Sequence, residues 1–570
     1  MKLLHRVLAL ALAALVLSGC MAAKTVVERP VVRATTALSA QFLTVVADVD
    51  PVVNSLAVSA ALYQRSGLVV TAPVGNDHAV ILAASVAVDL GVPLLLTPTF
   101  GASVTANLGA ELTRLHASYV LSVGGAGRAL TAESSPAPTD RAAKQTTART
   151  VLTVPATPAG VNAVLPVPLK TVNIASAAVA LSALADMDPL APVLLNLPAT
   201  MSAPDVTSAP APGEVPELPR VTRAPPLTKG LLLATDDPAQ LAGVATARAA
   251  SVAVKLVPTA QPNPQASAEV IAAIGAAGPK TVIALGRPFA AEPSLAYKIR
   301  AAATGIQLPG GGQLLFPSRR FVALYGTPGT PVLGVLGEQP VTEAIARARQ
   351  MAAAYQPLSD RVVVPMHEII ATVASAGAGA DGNYSTEIPA DQLRDWVEAA
   401  GAAGVYVVLD LQPGRTDFLT QARQYASLLA LPYVGLALDP EWRLAPDQRH
   451  LAQIGSVDVS EINAVSTWLA DLTNERALPQ KLLVLHQFRS SMIGNRAGLD
   501  LTRPELAVLL HVDGLGGQPD KQSTWATLHA DAPAGVAWGW KNFYDEDRPM
   551  LTPEQTMTQV SPVPDLITYQ

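Results

Sequence analysis

From Gly67 to Tyr569 the chain alternates short apolar runs with alanine-rich stretches of helical length, and this alternation constrains it more than any other feature. Such runs, continuous rather than two-faced, suit parallel sheets buried on both faces. Of the 570 residues 50% are hydrophobic and only 15% charged. Apolar mass for large cores is ample, and a disordered chain is excluded. The 48 prolines and 39 glycines exclude one long coiled coil. A net charge of −6 offers no positive field, so no nucleic-acid partner is expected. Past the N-terminus no run of about 18 apolar residues is free of charge or proline, so a multispanning protein is not expected. A single cysteine excludes a disulfide framework and a cysteine-based zinc cluster.

Two segments match in order and spacing. Gly67–Thr71 reads as a strand, Asp77–Leu90 as a helix, Val92–Pro98 as a strand, Ala106–Leu115 as a helix and Tyr119–Gly125 as a strand. Gly230–Thr235, Pro238–Ala250, Val252–Pro258, Ala266–Ala277 and Thr281–Gly286 repeat that order, with Gly67 and Gly230 163 positions apart. A near-constant offset marks a duplicated unit. Ile174–Pro198 repeats the helix-then-strand half as a degenerate third copy. Asn76-Asp77 before an alanine-rich helix, Gly91-Val92-Pro93-Leu94-Leu95-Leu96-Thr97, and Val123-Gly124-Gly125 together resemble cell wall-binding repeat 2 of Gram-positive surface proteins. The resemblance implies non-covalent binding of an anionic wall polymer and fixes no ligand residue. The alternative is that these positions are core and turn residues of a scaffold.

Lys2 and Arg6 precede an apolar stretch, Val7–Leu17, of signal-peptide length. Leu17-Ser18-Gly19-Cys20 follows, and it resembles the lipobox of bacterial lipoproteins. That resemblance implies cleavage before Cys20, lipid (such as palmitate) on its thiol, and a place on the outer face of the cell membrane, associated with the wall. The expected organisation is a signal peptide over 1–19, a linker over 20–50, a wall-binding-like α/β module with proline-rich linkers over 51–318, and a second domain over 319–570.

In that second domain eight apolar runs read as strands: Phe321–Tyr325, Arg361–His367, Val405–Asp410, Tyr433–Asp439, Lys481–Gln487, Leu506–Asp513, Val536–Lys541 and Asp565–Tyr569. Helical patterns fall between them. Eight pairs in about 250 residues fit a (β/α)8 barrel. The expected fold class is therefore α/β: a β-α-β repeat module with parallel sheets, then a TIM-like barrel. Seven strands, or an open doubly wound sheet, is the alternative.

Active sites of such barrels lie at the C-terminal strand ends. His367, Asp410, Gln412, Asp439, Glu441, His486, Gln487, His511, Asp513, Lys541 and Tyr569 collect there. Asp439 and Glu441, two apart on an extended strand, would share one face above the small Gly435 and Ala437. A second carboxylate raises the pKa of the first and keeps a general acid protonated. Trp442 is placed to stack on a sugar ring. The stretch Leu438-Asp439-Pro440-Glu441-Trp442 resembles the Asp-x-Glu signature on the fourth strand of barrel glycosidases, including the chitinase-like and wall-lysozyme families. The resemblance implies that Glu441 is the acid on the leaving oxygen and Asp439 its helper, with a substrate N-acetyl group as a candidate nucleophile. It departs from those patterns at Leu436, Tyr325 and Lys541. Trp442, Asp410, Gln412, His486, Trp540 and Tyr569 are the expected substrate-binding set. His367, His486 and His511, with Asp410 or Asp513, raise the possibility of a metal. No His-x-His pair stands on an early strand, so neither metal nor cofactor is assigned. The function expected is hydrolysis of envelope glycans; the alternative is a non-catalytic binding or structural lipoprotein.

Overall fold

The computed structural model describes residues 29–98, 102–125, 149–198 and 218–570. The leader with Cys20 lies outside the described residues, as do 134–139 and 203–217 of the proline-rich stretches. Among the described residues no helix is long and apolar enough to cross a membrane.

Both repeat units form parallel four-stranded sheets with the same strand order. In the first, Leu94–Thr97, Leu68–Pro73, Tyr119–Val123 and Thr150–Val154 lie side by side. In the second the order is Ala253–Val257, Gly230–Thr235, Thr281–Leu285 and Leu43–Val46. Each unit therefore runs second, first, third strand, then a fourth from outside the unit. Within the stretch 20–50, expected as a linker, Leu43–Val46 completes a sheet and Val31–Thr36 pairs with Arg220–Thr222 and Tyr63–Ser66. Within Ile174–Pro198 lie the helix Ala177–Ala185 and the strand Leu194–Asn196, which pairs with Thr171–Asn173.

The helices explain their own limits. Asn76 caps Asp77–Leu90 by accepting from the Ala79 N–H at 3.1 Å, and Gly91 ends it in the left-handed region at φ 68°. That helix packs on Leu241–Ala249 of the other unit, and one apolar core spans both. Small hydroxyls on these helices pair strand donors across the units: the Leu195 N–H donates to Ser85 Oγ and the Leu94 N–H to Thr246 Oγ1, each at 3.0 Å. Ser85 and Thr246 stand at matching places in the two copies. The positions that carry the wall-repeat resemblance thus have structural work: Asn76 caps, Gly91 terminates, and Gly124, at φ 80°, lies where a Cβ would meet the Ala79 Cβ at 2.9 Å.

The second domain is a closed barrel of eight parallel strands: β1 (Arg319–Gly326), β2 (Val362–Ala374), β3 (Tyr406–Leu411), β4 (Val434–Leu438), β5 (Lys481–His486), β6 (Leu506–Val512), β7 (Ala537–Asn542) and β8 (Leu566–Tyr569). β8 pairs with β1 and β1 with β2, which closes the ring. Every expected strand is present, and a helix fills most intervals. β2 runs seven residues past His367 and pairs beyond its bend with Ser385–Glu387. The interior is filled by Phe321, Met366, Tyr406, Val408, Leu482, Val484, Leu509 and Leu566. Leu308 and Leu315, from the connection to the repeat module, join that layer and close the N-terminal end of the barrel. Beside them Tyr297 Oη donates to the Leu478 carbonyl at 2.9 Å and Arg300 to Asn474 Oδ1 at 2.8 Å.

Candidate active site

Above the apolar layer the interior turns polar on all eight strands at once. In a strand alternate residues share a face, so the parity that points Phe321 and Ala323 inward also points Tyr325 inward. The same parity brings in Glu368 on β2, Asp410 on β3, Asp439 just after β4, His486 on β5, His511 and then Asp513 on β6, Lys541 on β7 and Thr568 on β8. Tyr325 Oη donates to Asp410 Oδ2 at 2.8 Å, and the Lys541 ammonium lies 3.6 Å from the centre of the Tyr325 ring. His486 bridges Asp513 through Nδ1 and Glu368 through Nε2, both at 3.0 Å, with Asp410 Oδ1 at 3.9 Å from Nε2. His511 Nε2 pairs with Thr568 Oγ1 at 2.8 Å.

Burial by itself lowers the His486 pKa, but Asp410, Asp513 and Glu368 outweigh it and hold the imidazole protonated well above its ordinary range. Burial, reinforced by the His486 charge, keeps His511 neutral. Asp513 stays below the usual carboxyl range: burial opposes ionisation, and the His486 hydrogen bond and charge more than offset it. Burial and then Glu441 raise Asp439 well above that range. Burial and then Asp513 push Glu441 up to about 7, against a pull downward from Lys541. The site therefore pairs proton-holding carboxyls with an ionised one, the environment difference that separates acid from base.

A pocket of about 660 Å³ opens at this end of the barrel. Asp439, Glu441, Trp442, Gln412, Asp513, Lys541 and Tyr325 line it, with Phe488, Phe543 and Tyr544 adding aromatic surface. Both carboxyls of the Asp-Pro-Glu stretch reach it by a route the sequence did not indicate. β4 ends at Leu438, and a 3-10 turn over Pro440–Trp442 carries Glu441 out, so the two do not share an extended strand face. Nor is there room beneath: a Cβ on Gly435 would meet the Leu482 carbonyl oxygen at 2.7 Å and the Tyr406 hydroxyl at 3.2 Å. Among the described residues no lysine or arginine pairs with Asp439 or Glu441, and Asp439 Oδ1 is buried without a hydrogen-bond partner.

The structure brings together Asp439, Glu441, Trp442 and Gln412 at the pocket, with Asp410 and His486 in the layer beneath. It separates three others. Trp540 faces the helical shell, packed edge-on against Trp525 at 5.6 Å and bonded to Asn542 Oδ1. Tyr569 also points outward, its hydroxyl 2.6 Å from that of Tyr355. His367 turns to the helix Ala390–Ala402, where it accepts from Trp396 Nε1 at 3.1 Å. Each sits one residue out of phase with an inward neighbour. Glu368, Tyr325 and Thr568 were missed as site residues. For Glu368 a signal was available: it is the one acidic residue in the run VVVPMHEIIATVA, at an inward position.

The fold and site define a closed parallel (β/α)8 barrel with a ring of ionisable side chains at its open end. No protein-family model matches the chain, and no curated protein sequence matches it. Among solved structures, Cwp6 from Clostridium difficile is a weak neighbour, with 11% identity and a TM-score of 0.31, over 64% of this chain. The chain spans 62% of the length of that protein.

Proposed function

We propose that the barrel is a glycoside hydrolase acting on envelope glycans, with Glu441 as general acid and Asp439 as its partner. The observation that carries this reading is that both carboxyls lie on the wall of a sugar-sized pocket, with no lysine or arginine of the described residues paired to either. Protonated Glu441 gives its proton to the leaving glycosidic oxygen as the C–O bond breaks. Positive charge grows on the anomeric carbon, and the ionised Asp513 on the pocket wall favours it. Asp439 orients the attacking group, a water or a substrate N-acetyl oxygen. Water supplies the new hydroxyl, and its proton restores the acid. Trp442 and Tyr544 present aromatic faces for a sugar ring.

In this reading Cys20 carries lipid, the membrane is one partner and a wall polymer the other, and the repeats hold the protein at the wall. Isolated wall incubated with the full chain is expected to release reducing ends, and Glu441→Gln to release almost none. Equal release by the two proteins excludes Glu441 as the acid. Binding of wall without release by the wild type leaves the non-catalytic alternative. Anchoring is tested separately: Cys20→Ser should move the protein from the membrane fraction to the medium, and an unchanged distribution overturns it.

A further inference from the structure

The floor of the pocket carries a second arrangement that the proposed hydrolysis does not use. Glu368, His486 and His511 are all fully buried, and each offers one ligand atom within 4.8 Å of the others. His486 Nε2 and Glu368 Oε1 are 3.0 Å apart. Donors around one zinc ion at ~2.0–2.1 Å sit about 3.3 Å from each other, so this pair already has ligand spacing. Two further atoms of the cluster, Glu368 Oε2 and His511 Nδ1, are buried with no hydrogen-bond partner. A buried carboxylate oxygen and a buried imidazole nitrogen left without partners in one cluster are costly in a protein interior unless something binds them.

The outer contacts fit a metal as well. A ligating histidine usually gives its other N–H to a carboxylate or hydroxyl, which fixes the ring and its tautomer. His486 has Asp513 Oδ2 on Nδ1 at 3.0 Å, and His511 has Thr568 Oγ1 on Nε2 at 2.8 Å. Those partners leave His486 Nε2 and His511 Nδ1 for a cation. Asp410 Oδ1, also buried and unpartnered, lies 3.9 Å from His486 Nε2 and is in reach as a fourth donor.

We propose that Glu368, His486 and His511 form a divalent-metal site of the zinc class beneath the pocket, with Asp410 able to complete it. Imidazole nitrogen with carboxylate oxygen suits Zn²⁺ better than the harder Mg²⁺ or Ca²⁺. On binding, the cation replaces the proton on His486 Nε2, and that proton leaves to solvent. The site stands independently of the glycosidase reading, because its readouts are of metal.

The full chain, stripped with chelator, is titrated with ZnCl₂ by calorimetry and separately with CoCl₂ by visible absorption. One equivalent of Zn²⁺ per chain is expected, with cobalt bands of the intensity of a four-coordinate site. His511→Gln and Glu368→Gln should each weaken Zn²⁺ binding by more than the ~10–100-fold that loss of an outer partner costs, and Asp513→Asn by an amount within that range. The proposal is overturned by absence of saturable binding in the wild type, by weak six-coordinate cobalt bands, or by full binding in both glutamine variants. Should those variants fail to fold, the wild-type cobalt spectrum decides.

Discussion

In the proposed hydrolysis the chemistry turns on Glu441, and its environment sets a sign that can be measured. Its carboxyl is raised from an ordinary 4.5 to about 7 by burial and by Asp513, with Asp439, Asp410, His486 and Lys541 also facing it. As the proposed general acid it would work protonated, so activity should fall as pH rises through about 7. Lys541 pulls that value down, so Lys541→Met should move the alkaline limb of the kcat/KM profile upward. Glu441→Gln should cost ~10²–10⁴ in rate. It should also stabilise the fold. Between pH 4.5 and about 7 the folded chain holds a proton that the unfolded chain has lost, so the wild type loses stability as pH rises through that window. The gain in Tm for Glu441→Gln should therefore be present at pH 8, worth ~3 kcal/mol as an upper bound, and vanish near pH 4. Asp439 and Glu441 were legible from sequence because polar residues stand out where an apolar run ends. Trp540 and Tyr569 have the chemistry of sugar-binding residues but the wrong parity: once Lys541 and Thr568 face inward, their chain neighbours cannot.

At the scale of elements, strands are the most readable feature, since a strand buried on both faces must be apolar throughout. Their ends are less so. β2 continues past His367 because Ile369, Ile370 and Ala371 keep it apolar, and that continuation carries Glu368 into the barrel. Helix starts divide in the same way. Thr552 and Gln555 form a reciprocal capping box, and Thr552→Ala should cost about 1 kcal/mol, seen as a lowered Tm. Asp458 and Glu461 have the same spacing, yet Glu461 is drawn away to Arg443 and the Phe418 N–H. Only Asp458 caps there, accepting from the Ser460 N–H at 2.9 Å. On β4, Gly435→Ala would force a methyl against the Leu482 carbonyl, and it should destabilise the barrel by ~1–3 kcal/mol in denaturant unfolding.

Across the whole molecule, the two modules meet at the end of the barrel opposite the pocket. Leu315 comes from the connection yet is completely buried with the barrel interior. Leu315→Ala should lower barrel stability by ~2–5 kcal/mol, measurable as earlier loss of tryptophan fluorescence, because all six tryptophans lie beyond residue 319. An unchanged midpoint would mean that the connection contributes nothing to the barrel floor. The same plug fixes a direction. The repeat module occupies the base, so the mouth looks away from it, across a barrel height of ~20–25 Å at about 3.3 Å per residue. If the proposed lipid on Cys20 tethers it there, the protein would work outward like an arm, reaching strands of polymer that lie beyond those its base can touch.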